Sequence, residues 1–167
     1  MSALRSCALR DDHACMVRAV GGSSEIHAPI EKVWAILRDV DSYPSWNPFT
    51  VSVKTDFQMG SPVDMRVCLF GKTRKDGSRK TMRQVEYITS YVEGSRVSWG
   101  VNVGPGWFIK ADRWQQLTDL GDGRTRYETV DEFTGVGVGF MLMLMERHMK
   151  RGFQEVADAL KDRSERP

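Results

Sequence analysis

Two aspartates in the second half of the chain are the groups best placed for acid–base work. Asp112 lies in "IKADRWQQLTDL" and Asp131 in "TRYETVDEF", on either side of Gly121-Asp122-Gly123. Both segments have the composition of strands, and the Gly-Asp-Gly between them reads as a hairpin turn. Strand parity groups Asp112 with Trp114 and Asp131 with Phe133. The turn brings the two aspartates to nearly the same level on opposed strands. If both point inward, two carboxylates share an apolar site, and one of them holds its proton to higher pH as a general acid or base. The competing arrangement pairs them with an arginine, Arg83 or Arg113, or leaves them in water. His148, on the shoulder of an apolar helical stripe, is a third candidate, set against an ordinary role as a core or rim histidine.

Other chemistries find little support in the residue pattern. There is no Gly-x-Ser-x-Gly, no His-Glu-x-x-His and no Cys/His spacing suited to a metal, so neither a metal nor a cofactor is expected. The Gly-x-Gly-x-Gly of residues 135–139 joins a strand to a helix as a dinucleotide loop does. A dinucleotide fold needs a parallel strand after that helix, however, and here the helix is last. These glycines are read as a tight joint. Cys7, Cys15 and Cys68 are widely spaced and odd in number, which suits reduced thiols.

The candidate groups must be positioned by a single domain of ordinary size. The chain has 167 residues, 41% hydrophobic and 28% charged, with a net charge of +2. The N-terminus lacks a signal-peptide core and no apolar run reaches membrane-spanning length, so a soluble, cytoplasmic protein is expected. Residues 1–14 read as a loose leader, 15–163 as the domain and 164–167 as a tail. A first strand ends near "HAP". Ile30, Val33, Trp34 and Leu37 then follow helical spacing, and Asp41-Ser42 opens a shorter helix ending by Trp46. From Phe49 the period changes to two. "FTVSVKT", "VDMRVCLF", "TMRQVEYITSYV" and "VSWGVNV" precede the hairpin, making six successive strands joined by short turns in an antiparallel sheet. From about Val138 to Arg163, Met141, Met145, His148, Met149, Phe153, Val156 and Leu160 mark the buried side of a long amphipathic helix. The fold class is α+β, with that helix covering one face of the sheet.

"EIHAPIEKVWAILRDVDSYPSWNPF", the Gly60 turn, "VSWG", "GDGRTRYE" and "DEFTG" together resemble the START-related helix-grip superfamily (SRPBCC). The closest branch is that of polyketide cyclases/dehydrases and lipid-transport proteins. The resemblance covers about residues 17–162. It implies a seven-stranded antiparallel sheet wrapped around the C-terminal helix, with a deep, mainly apolar cavity between them. Asp112 and Trp114 stand where this branch often carries His-x-Phe, and Asp131 stands at an acidic position before the last helix.

The resemblance further implies that the first half of the helix lines the cavity. That places Met141 and Met145 in its wall, where flexible thioethers suit irregular apolar ligands. Trp46 and Trp107, beside Pro and Gly, are expected at the cavity mouth. Phe49, Tyr87, Trp99, Trp114, Phe133 and His148 complete the expected ligand-binding set. The leading expectation is binding or carriage of a hydrophobic small molecule, such as a lipid, sterol or polyketide. The alternative is a cofactor-independent cyclase or dehydrase using Asp112 or Asp131. The segment "KTRKDGSRKTMR", residues 72–83, carries six basic residues around Asp76. It reads as a solvated hairpin tip, with anionic headgroups or an acidic protein surface as alternative partners. No aromatic residue interleaves these charges, so nucleic acid is not expected.

Overall fold

The computed structural model describes residues 17–71, 75–77 and 79–166. The expected leader, residues 1–14 with Cys7, therefore lies outside the described residues, as do Cys15, Arg74 and parts of the basic segment.

Strand β1 (Arg18–Ile26) leads into helix α1 (Ile30–Arg38). Pro29 sits in extended conformation at the N-cap, which fixes the entry to the helix, and Val33, Trp34 and Leu37 are its buried side. A single 3-10 turn (Val40–Ser42) runs into the one-turn helix α2 (Tyr43–Trp46). There Asn47, 4% exposed, accepts backbone hydrogen bonds from Phe49 (3.1 Å) and Thr50 (2.8 Å) through Oδ1. This Asx turn aims Phe49 inward at the start of β2.

Six strands follow: β2 (Thr50–Lys54), β3 (Pro62–Val67), β4 (Met82–Val92), β5 (Arg96–Val103), β6 (Ile109–Gly121) and β7 (Arg124–Thr134). Every pairing is antiparallel and the order is β1-β7-β6-β5-β4-β3-β2. From β2 to β7 consecutive strands are neighbours, while β1 and β2 form the two edges. The one long-range pairing, β1 with β7, is made possible by returning the chain beneath the sheet through α1 and α2. Helix α3 (Val138–Ser164) then packs along the inner face. This is the helix-grip arrangement.

Two register shifts decide which side chains reach the interior. The turn between β6 and β7 has positive φ at both Asp122 (54°) and Gly123 (68°), the backbone of a two-residue hairpin. It pairs Gly121 with Arg124, but a bulge at Leu120 offsets the register, so that Asp119 faces Thr125 and Arg113 faces Asp131. A second shift, between Ile88 and Ser90, puts Glu86 and Ile88 inward on one side of the bulge and Tyr91 inward on the other.

The helix is fixed to the sheet by two close approaches. A Cβ on Gly22 would lie 2.6 Å from the backbone of Phe153 and Gln154. A Cβ on Gly152 would lie 2.6 Å from Phe49 Cε2. Downstream of this contact Phe153, Val156, Ala157 and Leu160 are all within 1% of complete burial. The first half of α3 is less tightly held, and Met141 and Met145 are only half-buried.

Candidate functional site

Between the sheet and the first half of α3 lies a cavity of about 100 Å³. Its walls are apolar over most of their extent: Phe49, Met65, Val67 and Leu69 from one end of the sheet, Trp99, Val101, Ile109 and Phe133 from the centre, and Met141, Met145, Met149 and Phe153 from the helix. The helical contributors recur every four residues, which puts all of them on one stripe.

Against this background stand three ionisable side chains from three strands: Glu86 on β4, Arg113 on β6 and Asp131 on β7. Arg113 is 5% exposed. It donates from Nε to Thr129 Oγ1 (3.1 Å) and from Nη1 to Thr50 Oγ1 (3.4 Å). Its guanidinium carbon lies 4.4 Å from the centroid of Phe153 and 5.9 Å from that of Trp99, so aromatic faces carry part of the charge compensation. Among the described residues no ion pair joins Arg113 to either carboxylate.

Glu86 is 9% exposed, and burial pushes its carboxyl up to about 7, with Arg113 opposing and Asp112 reinforcing the shift. Asp131 is pushed up to about 8, first by burial and then by the charge of Glu86, again against Arg113. The residue keeps part of its surface, but its Oδ1 is enclosed and has no hydrogen-bond partner among the described residues. Two carboxyl groups near one cation thus hold protons into the neutral range.

The expected sites divide clearly. Asp131, Phe49, Trp99, Phe133, Met141 and Met145 line the cavity. Asp112 does not share a site with Asp131. It faces Glu132 across β6 and β7, on the outer side of the sheet, and accepts a 2.6 Å hydrogen bond from Thr89 Oγ1. The bulge at Leu120 is the reason, since a one-residue offset moves a side chain to the opposite face relative to its partner strand. Trp114 follows Asp112 outward, donating to Glu132 Oε1 (3.0 Å) beneath the guanidinium of Arg96. Tyr87 is also outward and 52% exposed, because Ile88 and Glu86 take the inner phase of β4.

Trp46 packs edge-on against Tyr43 and donates to Ser42 Oγ (3.1 Å), away from the cavity. Trp107 is 66% exposed on the β5–β6 loop. That loop is bound to the joint before α3, with Val136 donating to the Trp107 carbonyl (3.2 Å) and Gly137 to that of Phe108 (2.9 Å). His148 sits edge-on to Phe70, outside the lining, and Met149 takes the inward place expected of it. Arg83 pairs with Asp64 on the surface rather than with Asp112 or Asp131.

Glu86 and Gln84 were not among the expected site residues, and Arg113 was expected only as a pairing partner. A charged residue at an inward position of a strand breaks the apolar-in pattern, so the pattern itself conceals it. The available signal was Arg113 between Ala111 and Gln115, on the parity that ends in Leu117. Among the described residues no cluster of His, Cys, Asp and Glu could hold a metal ion, and no helix is long and apolar enough to cross a membrane.

The family described as "Polyketide cyclase / dehydrase and lipid transport" matches residues 18–165. No curated protein matches the sequence. Among solved structures, an aromatase/cyclase from Streptomyces sp. has a TM-score of 0.67 at 17% identity, covering 90% of this chain and 95% of its own. A START superfamily protein from Mycobacterium smegmatis has a TM-score of 0.63 at 19% identity, covering 88% and 97%. A norcoclaurine synthase from Thalictrum, in complex with a transition-state analogue, has 0.63 at 11%, covering 89% and 94%. At these identities the likeness establishes the fold.

Proposed function

The chain belongs to the polyketide cyclase/dehydrase and lipid-transport family, and we propose that it binds a hydrophobic small molecule between the sheet and the first half of α3. The observation that carries this reading is the convergence of Glu86, Arg113 and Asp131 on one apolar cavity without an ion pair among them. Buried charges normally pair with one another, because an uncompensated one costs several kcal/mol. Here the carboxyl groups stay protonated into the neutral range instead of pairing with Arg113, and ionisable groups left so beside a cavity are ones on which a ligand can be oriented. The apolar walls supply affinity and the three polar groups set its direction.

The cavity of about 100 Å³ is smaller than the roughly 300–1,000 Å³ of pockets that enclose drug-sized ligands. It suits a molecule of about one ring. A sterol or long acyl chain enters only if Met141 and Met145 move aside, which their unbranched side chains permit. Native mass spectrometry of freshly purified protein, with displacement of a fluorescent apolar probe, tests the reading. Specific displacement that fails in Phe133→Trp, where the added ring fills the cavity, supports it. Displacement unaffected by that substitution refutes it.

A second reading is catalysis, favoured by two carboxyl groups that take up protons in the neutral range within one site. In a dehydration, the ionised member removes a proton from carbon while the neutral member protonates the departing hydroxyl. Water leaves, and one proton has passed from one carboxyl to the other. Asp131→Asn then abolishes turnover while sparing binding, whereas Asp112→Asn leaves turnover unchanged.

A further inference from the structure

The outward side of the first half of α3 is apolar where solvent favours charge. Val136, Phe140, Met143 and Leu144 are between 56% and 76% exposed. At 3.6 residues per turn, Phe140, Met143 and Leu144 share one face, opposite the buried Leu142 and Met149. The β5–β6 loop adds Trp107, whose carbonyl accepts the Val136 hydrogen bond and whose ring packs edge-on to Phe108 at 6.1 Å. Large apolar side chains exposed together mark a contact surface. Further along the same helical face come Arg147, Lys150 and Arg151, all exposed. Arg151 pairs with Glu155, whereas Arg147 and Lys150 make no ion pair among the described residues. No Asp or Glu occurs in residues 101–111 or 133–145, and Glu146 lies on the flank of the helix.

We propose that this face docks on the surface of an anionic lipid bilayer. An interfacial element combines Trp, Phe and Leu with Lys and Arg, and seats its apolar side chains about 5–10 Å into the boundary between headgroups and acyl chains. Phe140 and Arg147 lie roughly 10 Å apart along the helix axis, at about 1.5 Å per residue. With Trp107 and the start of the helix seated in that boundary, Arg147 and Lys150 stand at headgroup level, where lipid phosphates and carboxylates meet them. A second copy of the chain fits this face less well. It would set the two basic bands against each other or against the apolar side chains, and residues 101–111 and 133–145 offer no carboxylate to compensate them. Val103, half-exposed at the end of β5, also lines the cavity, so docking brings the cavity rim to the bilayer. The docking surface stands apart from the ligand-binding reading, since it needs no ligand in the cavity.

Co-sedimentation of the full chain with lipid vesicles tests this, comparing phosphatidylcholine alone with phosphatidylcholine mixed with phosphatidylserine. Binding is expected to the mixed vesicles and should weaken as salt is raised. The Arg147→Gln/Lys150→Gln double variant should bind about 25-fold more weakly, a factor of about five for each cation. Phe140→Ser/Leu144→Ser should abolish binding. All four side chains are exposed, so both variants should keep the parent's midpoint in urea unfolding. Lys75→Gln/Lys80→Gln, on the basic segment, should leave binding unchanged. The proposal is overturned if the mixed vesicles do not bind, if neutral vesicles bind equally well, or if binding survives Phe140→Ser/Leu144→Ser and is lost with Lys75→Gln/Lys80→Gln. A dimer in sedimentation velocity that Phe140→Ser/Leu144→Ser dissociates would assign the face to a second copy and overturn it as well.

Discussion

Replacing Asp131 by Asn removes a titrating group whose folded and unfolded affinities for protons differ widely. In the unfolded chain this carboxyl ionises near its ordinary value of 3.8, whereas in the fold burial and Glu86 hold the proton up to about 8. Between those values the folded state binds more protons than the unfolded state, so stability falls as pH rises. The contribution is intact below the unfolded value and is lost by the time pH passes the folded one. A shift of about four pH units, at about 1.4 kcal/mol each, sets a ceiling of roughly 5–6 kcal/mol. Asp131 keeps part of its surface and lies near Arg113, so a smaller difference of about 1–3 kcal/mol is expected. The assay is urea unfolding of the parent and Asp131→Asn proteins at pH 4, 6 and 8 and constant ionic strength. The variant should gain stability relative to the parent progressively from pH 4 to pH 8. A difference that does not change with pH, or a variant that loses ground at pH 8, would show an ionised Asp131 held by Arg113, and would refute the reasoning.

Two further perturbations test the packing around the cavity. Gly152→Ala improves helix propensity by about 1 kcal/mol, but its new methyl meets the ring of Phe49. Phe49 is itself buried edge-on against Phe153, so the clash should prevail, with a net loss of about 1–2 kcal/mol in urea unfolding. Met145→Ala removes a half-buried cavity wall, for which about 1–2 kcal/mol of stability should be lost. Its affinity for an apolar probe larger than one ring should rise at the same time, as read by fluorescence titration.

The architecture was legible because its signals are periodic. Val33, Trp34 and Leu37 marked the buried side of α1, and Phe153, Val156 and Leu160 that of α3. The strands announced themselves by alternation, and Asp122-Gly123 by its turn chemistry. The site was less legible because it depends on register rather than period. A bulge at Leu120 leaves no mark in composition, yet it separates Asp112 from Asp131 and brings Arg113 opposite Asp131 instead. The shift after Ile88 likewise hides that Glu86 is inward while its apolar neighbours Val85 and Tyr87 face out. Charged residues occupy inward positions at the cavity against local preference, and it is there that reasoning from hydrophobic pattern fails.

The glycine contacts that fix α3 also determine how this cavity can change. Gly22 and Gly152 act as a fulcrum, holding the helix at a set height over β1 and Phe49. Upstream the helix begins just after Gly135, whose φ of 120° and closeness to the Phe108 backbone (2.7 Å for an added Cβ) exclude other residues. Substitutions at the half-buried Met141 and Met145 alter the room for a ligand at a distance from the fully packed end. Selection for a new ligand therefore has its least costly route through Met141 and Met145, whereas the same volume changes beyond the fulcrum would be made at the expense of the fold.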